Sequence, residues 1–187
     1  MARFRAQNRA ALAKGRRKGQ IPSMGRTANY SKQSCTIAGT LEVIGDPWTL
    51  LVIRDAFRGV RRFEQWQDGL GVARNVLAAR LKTLVAHGIM EARPYSERPL
   101  RNEYVLTQKG KDLRTVLLTL HGWGEKYIYG EQDSGLAIVH KGCGHPLDPI
   151  IACNHCKAEV KLGDVEMIVT PDRPTVGEVM GPLEAAE

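Results

Sequence analysis

A chain of 187 residues that is 43% hydrophobic is long enough for one ordinary domain with an appendage, and apolar enough to give that domain a core. The formal charge of +7 and the pI near 9.4 point to a polyanionic partner, yet nine of the 27 Lys and Arg lie within residues 1–34, where no acid stands, so the excess belongs to the tail. No apolar run approaches the roughly 18 residues of a membrane span, and the basic tail lacks the apolar centre of a secretory signal, so the sequence reads as soluble and cytoplasmic, with no membrane partner.

Residues 1–30 are rich in Arg, Lys, Gly and Ala and offer little to bury, which predicts a basic disordered tail. It reads equally as an arm that seeks the minor groove of DNA and as an upstream extension of a start at Met24. Folded sequence begins near Ser34. Ile37, Leu41 and Ile44 form a helical stripe, and Gly45 is placed to end that helix in a left-handed conformation. Asp46-Pro47 then signals a second start, a capping carboxylate followed by proline at the first helical position. Residues 48–57 are apolar around most of a helical circumference, as expected of a helix in the middle of a small domain. Gly59 breaks it, and a short helix with Phe63 and Trp66 three apart leads through Gly69-Leu70-Gly71 into the next.

Within residues 71–90, Leu77, Leu81 and Leu84 recur at i, i+4 and i+7 and face a core. The opposite side carries Asn75, Ala78, Ala79, Lys82 and Thr83, and Arg74 and Arg80 add charge, while residues 69–90 contain no Asp or Glu to repel phosphate. The same pattern also suits an ordinary solvated amphipathic helix. Two helices joined by a short Gly-containing turn make a helix-turn-helix. After Gly88 the period changes to two short strands, residues 89–95 and 101–106, around a loop with Pro94, Pro99, Arg98 and Arg101. The order predicts a winged helix-turn-helix, mainly α with a β-hairpin wing. The candidate contacts to double-stranded DNA are Arg74, Asn75, Ala78, Ala79, Lys82 and Thr83 on the helix and Arg98 and Arg101 on the wing. Thr107 caps a further helix whose Leu113, Val116, Leu117, Leu120, Trp123 and Tyr127 fall on one stripe, read as a dimerisation surface or as packing within the chain. Residues 31–130 are the predicted DNA-binding and dimerisation domain.

These residues resemble a family, the HxlR-type winged helix-turn-helix regulators of bacteria. The resemblance rests on Cys35, on Leu41-Glu-Val-Ile-Gly45 leading into Trp48-Thr-Leu-Leu51, and on Arg62-Phe63. It continues through Val76-Leu77 with Arg80-Leu81 and Leu84, Gly88-Ile89, and Glu103-Tyr104-Val-Leu-Thr107 with Gly110. It covers about residues 34–130 and implies a homodimer on a palindromic operator that regulates transcription. Acidic residues commonly interrupt the recognition helix in such proteins, whereas Ala79, Val85 and Ala86 stand here.

Residues 131–187 differ in character. His140-Lys-Gly-Cys143 and Cys153-Asn-His-Cys156 are two ligand pairs, each with two residues between, nine residues apart. That spacing fits a structural zinc with His140, Cys143, Cys153 and Cys156 as ligands, His145 competing with His140, and His155 inside a knuckle. A disulfide or plain buried thiols is the alternative. Similar Cys-Gly and Cys-x-x-Cys extensions occur on some regulators that resemble this family. The expectation is a small zinc-ribbon-like β element, followed after Val160 by a Gly- and Pro-rich tail, loose at its end. Cys35, left over from this set at the start of the first helix with Lys32 near in sequence, reads either as a redox-sensing thiol answering an oxidant or small-molecule effector, or as a small packing residue. In the resembling family some members sense through a cysteine at this place. No paired carboxylates, Gly-rich phosphate loop or nucleophile motif stand out, so the chain does not read as an enzyme. A protein-interaction adaptor using the winged helix and ribbon without specific DNA binding is the alternative to a regulator.

Overall fold

The structure is a computed structural model that describes residues 29–132, 134–169 and 171–181; the expected basic tail therefore lies almost wholly outside the described residues. Helix α1 (Thr36–Ile44) buries Ala38 and Ile44. Gly45 ends it in a right-handed conformation (φ −76°), not the left-handed one expected. Glycine is needed there for space, since a Cβ would sit 2.4 Å from the Leu41 carbonyl oxygen. Helix α2 (Pro47–Phe57) starts as the sequence predicts: the Asp46 carboxylate accepts the Trp48 N–H at 3.0 Å, with proline at the first position. Val52 and Ile53 are fully buried at the centre of the domain.

Helix α3 (Phe63–Leu70) is fixed to α2 by Trp66, which is completely buried and donates its indole N–H to the Val52 carbonyl at 3.1 Å. Gly71, at φ 62°, takes the left-handed turn that reverses the chain into α4 (Arg74–Ala86). Leu77, Leu81 and Leu84 of α4 are the core-facing stripe, each at most 1% exposed. Truncating such a side chain typically costs about 2–5 kcal/mol, so these three positions fix which face α4 turns outward.

The wing pairs β1 (Met90–Glu97) antiparallel with β2 (Leu100–Leu106), from Met90 opposite Leu106 to Glu97 opposite Leu100. Both strands are longer than expected, because Arg98-Pro99 alone makes the turn. Pro94 lies within β1 and the register shifts just after it, leaving Tyr95 unpaired in a bulge. The hairpin is tied to the helices by the Tyr104 N–H on the Arg61 carbonyl at 2.8 Å and by the Tyr104 ring edge-on to Trp66. Thr107 caps α5 (Gln108–Asp112), accepting the Gly110 N–H at 3.2 Å. Gly110 is buried where a Cβ would meet the Ile89 carbonyl oxygen at 2.2 Å.

Helix α6 (Arg114–Gly124) continues into a π-helical turn, Glu125–Tyr129. Its apolar stripe divides. Leu113 and Leu117 pack against the core of their own chain, and Val116, Leu120, Trp123 and Tyr127 are exposed. The end of the tail, expected to be loose, lies at residues 182–187 outside the described residues. A short helix α7 (Val176–Met180) returns to α1, with the Val176 N–H on the Gln33 carbonyl at 2.8 Å and the Gly177 N–H on the Ser31 carbonyl at 2.9 Å. Among the described residues, no single helix is long and apolar enough to cross a membrane.

Candidate nucleic-acid interface

Because three leucines hold α4 to the core, its other side faces outward: Arg74, Asn75, Ala78, Ala79 and Lys82 are exposed on one surface. Thr83 lies half-buried at its edge, with its hydroxyl donating back to the Ala79 carbonyl at 3.0 Å. No carboxylate lies on α4, and Ala73 supplies no side-chain cap, so the first-turn N–H groups and the positive end of the helix dipole are open to an anion. The Arg74 guanidinium is held there over the Phe63 ring, 4.9 Å from its centroid. Arg98 and Arg101 are exposed at the far end of the hairpin, one in its turn and the other opposite Ser96.

Arg80 does not belong to this face. Its Nη1 lies 3.2 Å from the Asp46 carboxylate, and the side chain is 20% exposed, tying α4 to the start of α2. Sequence reading missed two other cations. Arg62 stacks over the Tyr95 ring of the bulge at 4.7 Å. Arg61 lines a cleft of about 400 Å³ together with Arg93 and Lys111 beneath the wing. The signal was present as a basic pair directly before Phe63, but nothing local says that the wing folds onto it.

Cys35 is exposed at the N-cap of α1. The backbone N–H groups of Ala38 and Ile37 hold its thiol below the ordinary range, with a smaller contribution from the Arg173 guanidinium. The added cation is thus Arg173, from 138 residues downstream, and not the sequence neighbour Lys32.

The two ligand pairs fold as two similar knuckles. In the first, Val139 bridges Pro146, the Gly144 N–H returns to the His140 carbonyl at 2.8 Å, and Gly144 is left-handed. In the second, Ala152 bridges Glu159, the Lys157 N–H returns to the Cys153 carbonyl at 2.8 Å, and Lys157 is left-handed. His140 Nδ1 lies 3.3 Å from Cys143 Sγ, whereas the His145 carbonyl accepts the His140 N–H. The N–H groups of Cys156 and His155 and the Cys156 thiol hold Cys153 below the usual thiol range. None of the four cysteines is in a disulfide, and Cys143 and Cys156 are exposed. Among the described residues the pairs remain separate, with no group of three or more His, Cys, Asp or Glu side chains converging, and no sheet joins the knuckles.

A family profile described as HxlR-like helix-turn-helix matches residues 43–132. The HTH-type transcriptional regulator Rv3095 of Mycobacterium tuberculosis is 39% identical over 130 residues, covering 70% of this chain and 82% of that one. An HTH-type regulator of Synechocystis is 37% identical over 101 residues, 54% of this chain and 73% of its own. The crystal structure of PA1607, a candidate transcription factor, matches with a TM-score of 0.66 at 37% identity, covering 78% of this chain and all of the other. That of PA1374 from Pseudomonas aeruginosa, also a candidate transcription factor, matches with 0.54 at 37% identity over 74% and 94%. Shares this large exceed what residues 1–132 can supply, so the likeness to both structures continues into the C-terminal extension.

Proposed function

The chain belongs to the HxlR-like helix-turn-helix family, and from that premise we propose that it is a sequence-specific, DNA-binding transcriptional regulator acting as a homodimer on an inverted-repeat operator. The observation that carries this reading is the outward face of α4, free of carboxylates and led by an uncapped helix N-terminus. In a major groove, Arg74, Lys82 and the first-turn N–H groups meet phosphate, Asn75 faces base edges, and Ala78 and Ala79 allow close approach. Arg98 and Arg101 carry the wing along the backbone. Fragments selected from random duplexes by the full chain should contain an inverted repeat with half-sites about 10 bp, or a multiple, apart. Removing charge at Arg74 or Lys82 should lower the salt slope of operator binding by about one per subunit, while Asn75→Ala should relax base preference. Binding that is asymmetric and indifferent to sequence overturns the reading.

Cys35 is the thiol through which this regulator answers oxidants. Its lowered pKa places the thiolate, the nucleophilic form, at lower pH than an ordinary thiol, so its alkylation should begin to rise at a correspondingly lower pH. Operator binding should change after mild oxidant in the wild type and not in Cys35→Ser; equal responses assign any redox effect elsewhere. His140, Cys143, Cys153 and Cys156 hold a structural zinc. The donor set supports this, as do two knuckles of the same turn geometry and the closeness of His140 to Cys143. Bound zinc would draw the two pairs together and staple a segment with little core of its own.

A further inference from the structure

The return of the chain to α1 leaves an open cleft beside it rather than filling the space. Arg173-Pro174 leads into Thr175, which caps α7 through a reciprocal pair: its hydroxyl accepts the Glu178 N–H while its own N–H donates to the Glu178 carboxylate at 2.7 Å. Five residues do not hold a helix alone. This one is held by the backbone bonds to Ser31 and Gln33, by the Ser34 hydroxyl on the Arg173 carbonyl at 3.2 Å, and by Val176 against Gly39. Between α1, α7 and the α5–α6 junction remains a cavity of about 580 Å³, within the range of small-ligand sites. Its apolar lining comes from Val43, Ile44, Ile89, Leu113, Val179 and Met180.

Its polar lining holds two cations, neutral hydroxyls and the Cys35 thiol, which Arg173 helps to hold below the ordinary range. Arg173 and Lys109 reach it and no carboxylate does. Arg173 has no carboxylate partner among the described residues, and Lys109 donates to the His87 carbonyl at 2.9 Å with further N–H groups to spare. A neutral apolar molecule would suit the walls and make no use of the guanidinium. Inorganic phosphate would answer the cation and leave the walls empty. We infer that the cavity is a binding site for an amphipathic monocarboxylate, its apolar body between α1 and α7 and its carboxylate on Arg173.

The site adjoins the proposed DNA reader. Ile89 lies three residues beyond the end of α4, and Lys109 bonds the carbonyl of His87, the C-cap residue of α4. An effect of the ligand on operator binding rests on the function proposed above. Binding itself does not, and is measured without DNA.

The test is calorimetry of the full chain with octanoate, 1-octanol and inorganic phosphate. Octanoate should bind once per chain, about tenfold or more tighter than octanol, the scale of one charge-assisted hydrogen bond, and phosphate should not bind at millimolar concentration. Arg173 is exposed, so Arg173→Gln keeps the fold and should reduce octanoate to the affinity of octanol. Thr40→Trp, from an exposed position of α1 that lines the cavity, should remove both. As a second readout, octanoate should slow iodoacetamide modification of Cys35, which also lines the site, when followed by peptide mass. Octanol binding as tightly as octanoate, octanoate binding unchanged in both variants, or no octanoate binding overturns the inference. So does binding that disappears as protein concentration rises, which would assign the cavity to a second copy of the chain.

Discussion

Asp46 answers two donors at once. One carboxylate oxygen caps α2 through the Trp48 N–H, and the other meets the Arg80 guanidinium from α4, with both side chains largely buried. The first role was legible in the sequence, because a cap and its helix are neighbours and Asp-Pro is a local signal. The second was not. Arg80 looked like one more cation on a phosphate-friendly helix, and only the packing of α4 across the start of α2 removes it from that face. Losing a cap typically costs about 1 kcal/mol, and a charge-assisted hydrogen bond about 1.5–3 kcal/mol. Asp46→Ala should therefore lower stability by about 2–4 kcal/mol in urea unfolding. Arg80→Ala should cost about 1–3 kcal/mol and leave the operator affinity of the folded protein within about twofold. If Arg80→Ala instead weakens DNA binding at unchanged stability, Arg80 returns to the recognition face.

At the scale of elements, what the sequence revealed follows how local the cause is. Helices α1 to α4 and the wing were readable because their apolar stripes, the Asp46-Pro47 start of α2, the Gly71 turn and the change of period after Gly88 are local signals. Helix α7 was not, since its five residues have no stripe of their own and are held by Ser31 and Gln33 from the other end of the chain. The knuckles lie between these cases. Their turns are local and readable, while the proposed meeting of the two pairs on a zinc ion would bring together side chains that stand apart among the described residues. Purified protein should accordingly carry about one zinc per chain. Cys153→Ser should lose it and speed backbone hydrogen exchange in residues 138–160. The winged helix should keep its own unfolding transition, because its core clusters residues from Ile44 to Met90 and draws on none from the extension. Metal analysis without zinc, in protein never exposed to chelator, removes the ion from the account.

For the whole molecule, exposed apolar side chains stand on the extension, among them Leu162, Met167 and Ile168, and also on α1 and α6. Val116, Leu120, Trp123, Tyr127 and Ile128 stand 40–68% exposed along α6 and the π-helical turn, and Ile37 and Leu41 are exposed on α1. Part of the stripe is already covered by its own chain, through Leu113 and Leu117 and through Pro149 lying against Gly122. What remains is an aromatic and aliphatic strip, and stable interfaces bury about 800 Å² per partner around such anchors. Pairing through it would give two copies of α4 a fixed separation, which a repeated half-site can match and a lone winged helix cannot. Trp123 is 57% exposed and touches Tyr127, so Trp123→Glu should leave the fold intact while placing a charge in the proposed contact. Sedimentation should then show a monomer at micromolar concentration. Operator binding should weaken by about 10²–10⁴-fold, the advantage of linking two sites, and binding to a single half-site should change little. A Trp123→Glu protein that stays dimeric with full operator affinity would assign the strip to some other contact and leave the symmetry of the operator without a source in α6.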